Sequence, residues 1–230
     1  MGKEKIVVII PAFNEENAVG KVVADIPKDL VDEVIVVNNN STDQTSEAAE
    51  KEGASVLFEP QKGYGKACLK GIEYLNQKHE KPEIVVFIDA DYSDYPEQMI
   101  ELVKPIQNNK AELVIGSRAL GNREAGSMTL PQLFGNWLAT TLLRLLYGAK
   151  FTDLGPFRAI RYQSLMALQM KDENYGWTVE MQLKAVKQKM PYTEIPVDYR
   201  NRIGFSKISG TIKGTVLAGY KIISTIIKYL

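Results

Sequence analysis

Cysteine and histidine are almost absent: among 230 residues, only Cys68 carries a thiol and only His79 an imidazole. This excludes a disulfide framework and any zinc centre built from cysteines and histidines, and it makes the cytoplasm the expected compartment. Surplus charge is missing as well. The 28 basic residues balance the 28 acidic ones, so the composition encodes neither a nucleic-acid coat nor an acidic tail, and no nucleic-acid partner is expected. No uninterrupted apolar run reaches the ~20 residues of a spanning helix, and no signal-peptide pattern opens the chain. Any metal would have to be a hard ion held by carboxylates, Mg2+ or Mn2+.

What is present is ordinary globular material, 45% hydrophobic and 24% charged, enough for one domain spanning 1–230 with a sheet covered on both faces. Short β-branched runs at 6–10, 33–37, 55–58, 84–88 and 113–115 read as strands. Between them, 16–26, 45–52, 65–77 and 96–107 carry apolar residues at helical spacing. Near-continuous apolar strands separated by amphipathic helices predict an α/β fold with a mostly parallel central sheet. After a Gly-rich loop at 121–127 the pattern changes. Helices are predicted at 130–147, 163–168, 176–189 and toward the C-terminus from 212, with a last strand at 193–199.

Right-handed crossovers place the C-terminal ends of parallel strands along one edge, where such sheets bind ligands. The segments that follow those ends are polar: Pro11-Ala-Phe-Asn-Glu15, Asn38-Asn-Asn-Ser-Thr-Asp43, Asp89-Ala-Asp91 and Gly116-Ser-Arg118. An Asp-X-Asp alone is a weak signal, since short acidic pairs also cap turns and helix starts. This one ends a buried strand, where two unpaired carboxylates would be costly. A divalent ion there would neutralise a diphosphate and stabilise it as a leaving group.

Taken in order, these motifs, with Gly63-Tyr-Gly-Lys66, resemble the family-two inverting glycosyltransferases of the GT-A (Rossmann-like) fold. The later Arg202-Ile-Gly-Phe-Ser-Lys207 is similar to the dolichol-phosphate mannose and glucose synthase branch. The resemblance implies a nucleotide-sugar-binding half at 1–118 and an acceptor half at 119–230 formed by the C-terminal helices. It implies a UDP- or GDP-hexose donor, a divalent cation and a polyprenyl phosphate acceptor. Pro11, Phe13 and Glu15 would line the nucleotide pocket; Asn38, Asn39 and Asp43 would surround base and ribose, with Lys66 nearby. Asp89 and Asp91 would hold the metal, Asp91 the more direct ligand. Asp91, Arg118, Glu180 and Arg202 are the catalytic candidates, and Lys207 joins Arg202 in a basic loop able to close over an anionic acceptor or the leaving diphosphate.

Each assignment has a plainer counterpart. Pro-Ala-Phe-Asn-Glu also reads as a turn entering a helix, and Asn-Ser-Thr-Asp as a capped helix start. The two glycines before Lys66 suit a phosphate-binding nest or a flexible approach to a helix equally well. Glu180, in Trp177-Thr-Val-Glu180, is either a general base for a hydroxyl acceptor or a salt-bridged helix glutamate. Where the family commonly has Asp-Asp, this chain has Asn38-Asn39, which leaves the base open because an amide accepts without charge and also donates. Two further readings stand beside the main one: a transferase acting on a soluble hydroxyl with Glu180 as base, and a non-catalytic nucleotide-sugar-binding subunit. The C-terminal helix has Ile212, Val216, Tyr220, Ile223 and Ile227 on one stripe with Lys221 and Lys228 elsewhere, which fits either a peripheral membrane contact at the cytoplasmic surface or packing on the protein's own core.

Overall fold

The computed structural model of the chain describes residues 4–205 and 212–230. Among the described residues, one seven-stranded sheet runs in the order β3-β2-β1-β4-β6-β5-β7. Its strands are β1 (Ile6–Ala12), β2 (Glu33–Asn38), β3 (Ser55–Phe58), β4 (Ile84–Phe87), β5 (Leu113–Ser117), β6 (Arg158–Arg161) and β7 (Tyr192–Pro196). β1 to β4 pair in parallel, as do β5 and β7, whereas β6 lies antiparallel between β4 and β5. The fold is the GT-A α/β architecture, with a mixed, mainly parallel sheet flanked by helices.

β6 is absent from the sequence-based reading. Its four residues begin and end on arginine, so no apolar run announces it. Arg158 is nonetheless buried in the sheet, because its guanidinium donates to the carbonyls of Leu154, Gly155 and Thr178. Burial lowers its pKa to about 10, so it remains charged at neutral pH. It is a core rivet.

Alternation along the strands divides the core in two. Val7, Ile9, Ile35, Val37, Val85 and Phe87 pack under α3 (Tyr64–Gln77), α5 (Leu130–Tyr147), α6 (Tyr162–Leu168), α7 (Trp177–Lys187) and α8 (Ile212–Lys228). Ile6, Val8, Ile10, Val36, Ile84 and Val86 pack on the other face under α1 (Val19–Asp25), α2 (Thr45–Lys51) and α4 (Met99–Gln107). A strand buried on both faces must be apolar throughout, which is why β1 and β4 read as unbroken hydrophobic runs.

Helix α5 starts with a capping box in which Thr129 and Gln132 satisfy each other's backbone groups, and it stops at Gly148 in the left-handed conformation. α8 packs on α5 and α7 through buried Ile226, while Val216, Tyr220 and Ile227 stay exposed. Among the described residues, no helix is long and apolar enough to cross a membrane.

Helix α3 lies close on β1: a Cβ at Gly71 would come 2.8 Å from Cγ2 of Ile9. Gly71→Ala should therefore destabilise the protein by about 1–3 kcal/mol, since overpacking outweighs the gain in helix propensity. Urea denaturation measures it, and an unchanged midpoint would refute the close approach.

Candidate active site

The C-terminal ends of β1, β2, β4 and β5 meet at one edge, and two cavities open there. The first, about 300 Å3, is lined by Pro11, Phe13, Glu15, Asn39, Asp89, Asp91 and Arg202, together with Lys62, Tyr64 and Tyr175. The second, about 600 Å3, runs from Asp89, Asp91, Arg118 and Arg202 towards the start of α5 and the middle of α8. The cavities share Tyr64, Asp89, Asp91, Tyr175 and Arg202.

The two aspartates stand at this junction because β4 ends at Phe87 and the chain turns immediately after it. Asp89 accepts a hydrogen bond from Tyr64 Oη at 3.0 Å. Burial, and next the Asp91 carboxylate, raise the Asp89 pKa to about 7. Asp91 is oriented by the backbone N–H of Ser93, which donates to Oδ1 at 3.0 Å, and by the Ser93 hydroxyl. Its other oxygen, Oδ2, lies 3.0 Å from Arg202 Nη1, while Arg202 Nη2 reaches Glu15 Oε1 at 2.6 Å. A cationic guanidinium thus rests on the pair.

The carboxylates fit a divalent cation: two hard oxygen donors, one destabilised by the charge of the other, face an open cavity. Among the described residues, no cluster of three or more Asp, Glu, His or Cys could form a closed cage. The remaining ligands would then come from phosphate oxygens and water, the usual arrangement for ions bound with a diphosphate.

The turn is clamped from the C-terminal side. Ile203 N donates to Asp91 O, Arg200 N to Ser93 O and Arg200 Nε to Tyr92 O. The Arg200 guanidinium stacks 3.4 Å from the Tyr92 ring centroid. This support matters because Tyr92 has φ of +63°, a conformation that bulky residues seldom adopt.

Several expected site residues have other employment. Asn38 accepts from Ser41 N and donates to Ser46 Oγ. Asn39 faces the first cavity, but its amide donates to the carbonyls of Glu59 and Gln61 and accepts from Gly63 N. It locks the loop after β2 to the 59–63 loop, and its hydrogen-bonding capacity is used there. Asp43 accepts from the backbones of Glu16 and Thr45 and caps the approach to α2. Lys66 pairs with Glu173 at 2.8 Å and lines neither cavity. Gly63 and Gly65 approach the backbone of residues 172–173 closely, which makes them packing glycines in place of a phosphate nest.

Glu180 is the clearest correction. It is 2% exposed and lines neither cavity. Its oxygens accept from Lys171 N, Asp172 N and Tyr229 Oη, and Lys184 Nζ sits 2.8 Å away. Burial opposes its charge, yet Lys184, Tyr229 and the two amides hold its pKa below the ordinary 4.5. It latches α7 to α8 and is unavailable as a general base. Arg118 does line the second cavity, but its side chain and backbone N–H make three bonds of 2.7–2.8 Å to Asp153. Burial works against its charge, and Asp153 more than compensates, raising its pKa. Lys207 lies outside the described residues.

The residues not anticipated are mostly neutral. Lys62 sits 4.4 Å from the Phe13 ring centroid, and Tyr64, Tyr175, Trp177 and Tyr199 form aromatic walls. Only Tyr64, between two glycines, had a signal in sequence. The others become neighbours through the crossing of distant loops.

Residues 7–168 match the model of the glycosyl transferase family 2, and the chain belongs to that family. It is a glycosyltransferase. It is 32% identical to an uncharacterised glycosyltransferase of Mycobacterium tuberculosis, over 95% of this chain and 96% of that one. It is 29% identical to an undecaprenyl-phosphate mannosyltransferase of Micrococcus luteus, over 91% and 90%. Among solved structures, it superimposes on glucosyl-3-phosphoglycerate synthase from M. tuberculosis in complex with Mn2+, UDP and glucosyl-3-phosphoglycerate, with a TM-score of 0.78, 22% identity, and coverage of 98% of this chain and 80% of that one. Further structures of that enzyme hold UDP-glucose with phosphoglyceric acid.

The expected polyprenyl phosphate acceptor is not what the solved structures of this fold hold: the glucosyl-3-phosphoglycerate synthase complexes contain phosphoglyceric acid or its glucosyl product.

Two outcomes test the site's scaffold. Asn39→Asp should lower stability by about 1–3 kcal/mol, because it turns a carboxylate onto the Glu59 and Gln61 carbonyls; a melting temperature equal to the wild type's would contradict the lock. Glu180→Gln should cost a similar amount at neutral pH. The stability contributed by Glu180 ionisation is fully present above pH 4.5 and is lost as the pH falls through its lowered folded value. The difference in melting temperature between wild type and Glu180→Gln should therefore shrink in acid; a constant difference from pH 7 to pH 3 would contradict it.

Proposed function

We propose that this protein transfers a hexose from a UDP-sugar to the hydroxyl of a soluble acceptor, with a divalent cation held by Asp89 and Asp91. One observation carries the reading: the two carboxylates lie where a smaller cavity and a larger one meet, and belong to both. A donor in the first and an acceptor in the second would bring their reacting atoms together beside them. The UDP-sugar and Mn2+ of the glucosyl-3-phosphoglycerate synthase complexes support the choice of donor and ion.

When bound, the ion supplies charge neutralisation to the leaving diphosphate. Pro11 and Phe13 wall the nucleotide side. Tyr64 and Ser93 fix the orientation of the aspartates, and Arg202, released from Asp91, adds positive charge toward the phosphates. The acceptor oxygen forms the new bond to the anomeric carbon. The bond to the diphosphate breaks with its electron pair leaving on UDP, and the hydroxyl proton passes to solvent.

Asp91→Ala should abolish turnover of UDP-glucose and the Mn2+-dependent rise in melting temperature with UDP, while the far-UV spectrum stays unchanged. Full activity in that variant would sink the proposal. Glu180→Gln, by contrast, should keep turnover per folded molecule, because Glu180 touches neither cavity.

A further inference from the structure

The second cavity has a definite chemical character, and its lining narrows the acceptor class. Met128, Pro131, Leu154, Pro156, Trp177 and Ile222 make its walls largely apolar. Among the described residues its only cationic side chains are Arg118 and Arg202. Arg118 is bound bidentately by Asp153, and Arg202 bridges Glu15 and Asp91. Among the described residues, each positive charge facing this cavity is thus matched by a carboxylate, and Arg202, once freed from Asp91, serves the donor's diphosphate and not the acceptor.

Apart from Nε of Arg202, whose guanidinium is already paired with Glu15 and Asp91, the uncommitted buried polar atoms of this lining are neutral. Ser127 Oγ and Trp177 Nε1 are buried atoms of lining residues and have no hydrogen-bond partner. A buried unpaired hydroxyl or indole N–H is costly unless a ligand or water completes it, and either suits a sugar or alcohol hydroxyl.

The cavity also has a direction. It continues into a seam between α5 and α8 lined by Gly135, Ala218 and Gly219. A Cβ built on Gly135 or on Gly219 meets nothing within 4 Å. The absence of side chains there leaves open space between two packed helices, into which an apolar group could extend.

Resting on the reading of this cavity as the acceptor site, we infer that the acceptor is an uncharged, hydroxyl-bearing molecule with an apolar body, such as an alkyl or aryl glycoside. Its hydroxyl lies toward Asp91 and its apolar part lies in the α5–α8 seam. A phosphorylated hydroxy acid is a poor match for the same walls.

The test uses the full chain with UDP and Mn2+ and measures binding of three probes by calorimetry, then turnover with UDP-glucose. The probes are methyl glucoside, octyl glucoside below micellar concentration, and 3-phosphoglycerate. Octyl glucoside should bind at least about tenfold more tightly than methyl glucoside, each methylene that enters the seam adding roughly threefold to fourfold. 3-Phosphoglycerate should bind most weakly. Gly219→Leu, which adds a good helix former at a position whose Cβ meets nothing within 4 Å, should reduce the octyl-over-methyl advantage to less than about threefold.

Preference for 3-phosphoglycerate, equal affinity for the two glucosides, binding of none of the three, or an advantage untouched by Gly219→Leu would each overturn the inference. Loss of UDP–Mn2+ binding itself would instead refute the donor-site reading, so the two failures are distinguishable.

Discussion

Placing two carboxylates side by side at the end of a buried strand is the constraint around which this molecule is organised. Asp89 and Asp91 are two residues apart, half-buried or buried, and mutually repulsive, and the cost appears in the Asp89 pKa, raised to about 7 by burial and by Asp91. Asp94 adds a third carboxyl to the same turn, pushed well up by burial and then by Asp89. Such a turn persists only when its surroundings over-determine it. Ser93 orients Asp91, Tyr64 holds Asp89, Arg200 stacks on Tyr92, and Arg202 bridges Asp91 to Glu15. These supports come from three separate parts of the chain.

The sheet makes that convergence possible. β1 and β4 are neighbours and end at the same edge, so Glu15 after one strand and Asp91 after the other can share one guanidinium. β6 enters antiparallel between β4 and β5 and separates the donor strands from the Arg118 end of β5. The larger cavity runs from the strand ends at Asp89, Asp91 and Arg118 to α5, α7 and α8. The smaller cavity is therefore built mostly from polar strand termini, and the larger one adds helix faces and their apolar side chains.

This division explains which parts of the site could be read in advance. The motifs after β1 and β4 were visible because their local spacing already sets their position: a residue two places past a buried strand must emerge at its end. Arg118 likewise follows β5. For Asn39, Asp43 and Lys66 the resemblance implied nucleotide contacts and for Glu180 an acceptor-side role, but sequence could not say where each oxygen or nitrogen points. Asn39 turned out to bond loop carbonyls, and Glu180 to bond α8 through Tyr229. Likewise β6 was invisible because the carbonyls that make Arg158 tolerable in a core come from residues 154, 155 and 178, which no local window contains.

By itself the sequence determined the α/β alternation, the polar sheet edge and the paired carboxylates, because hydrophobic periodicity and strand termini are local properties of the chain. Tertiary structure alone decided that Glu180 is a latch, that Arg118 and Arg202 are already matched by carboxylates, and that the larger cavity has a largely apolar wall reaching α5 and α8. Those outcomes depend on which distant groups satisfy one another's charges and hydrogen bonds. The energy of a buried charge is fixed by its nearest neighbours in space, and those neighbours are chosen by the fold.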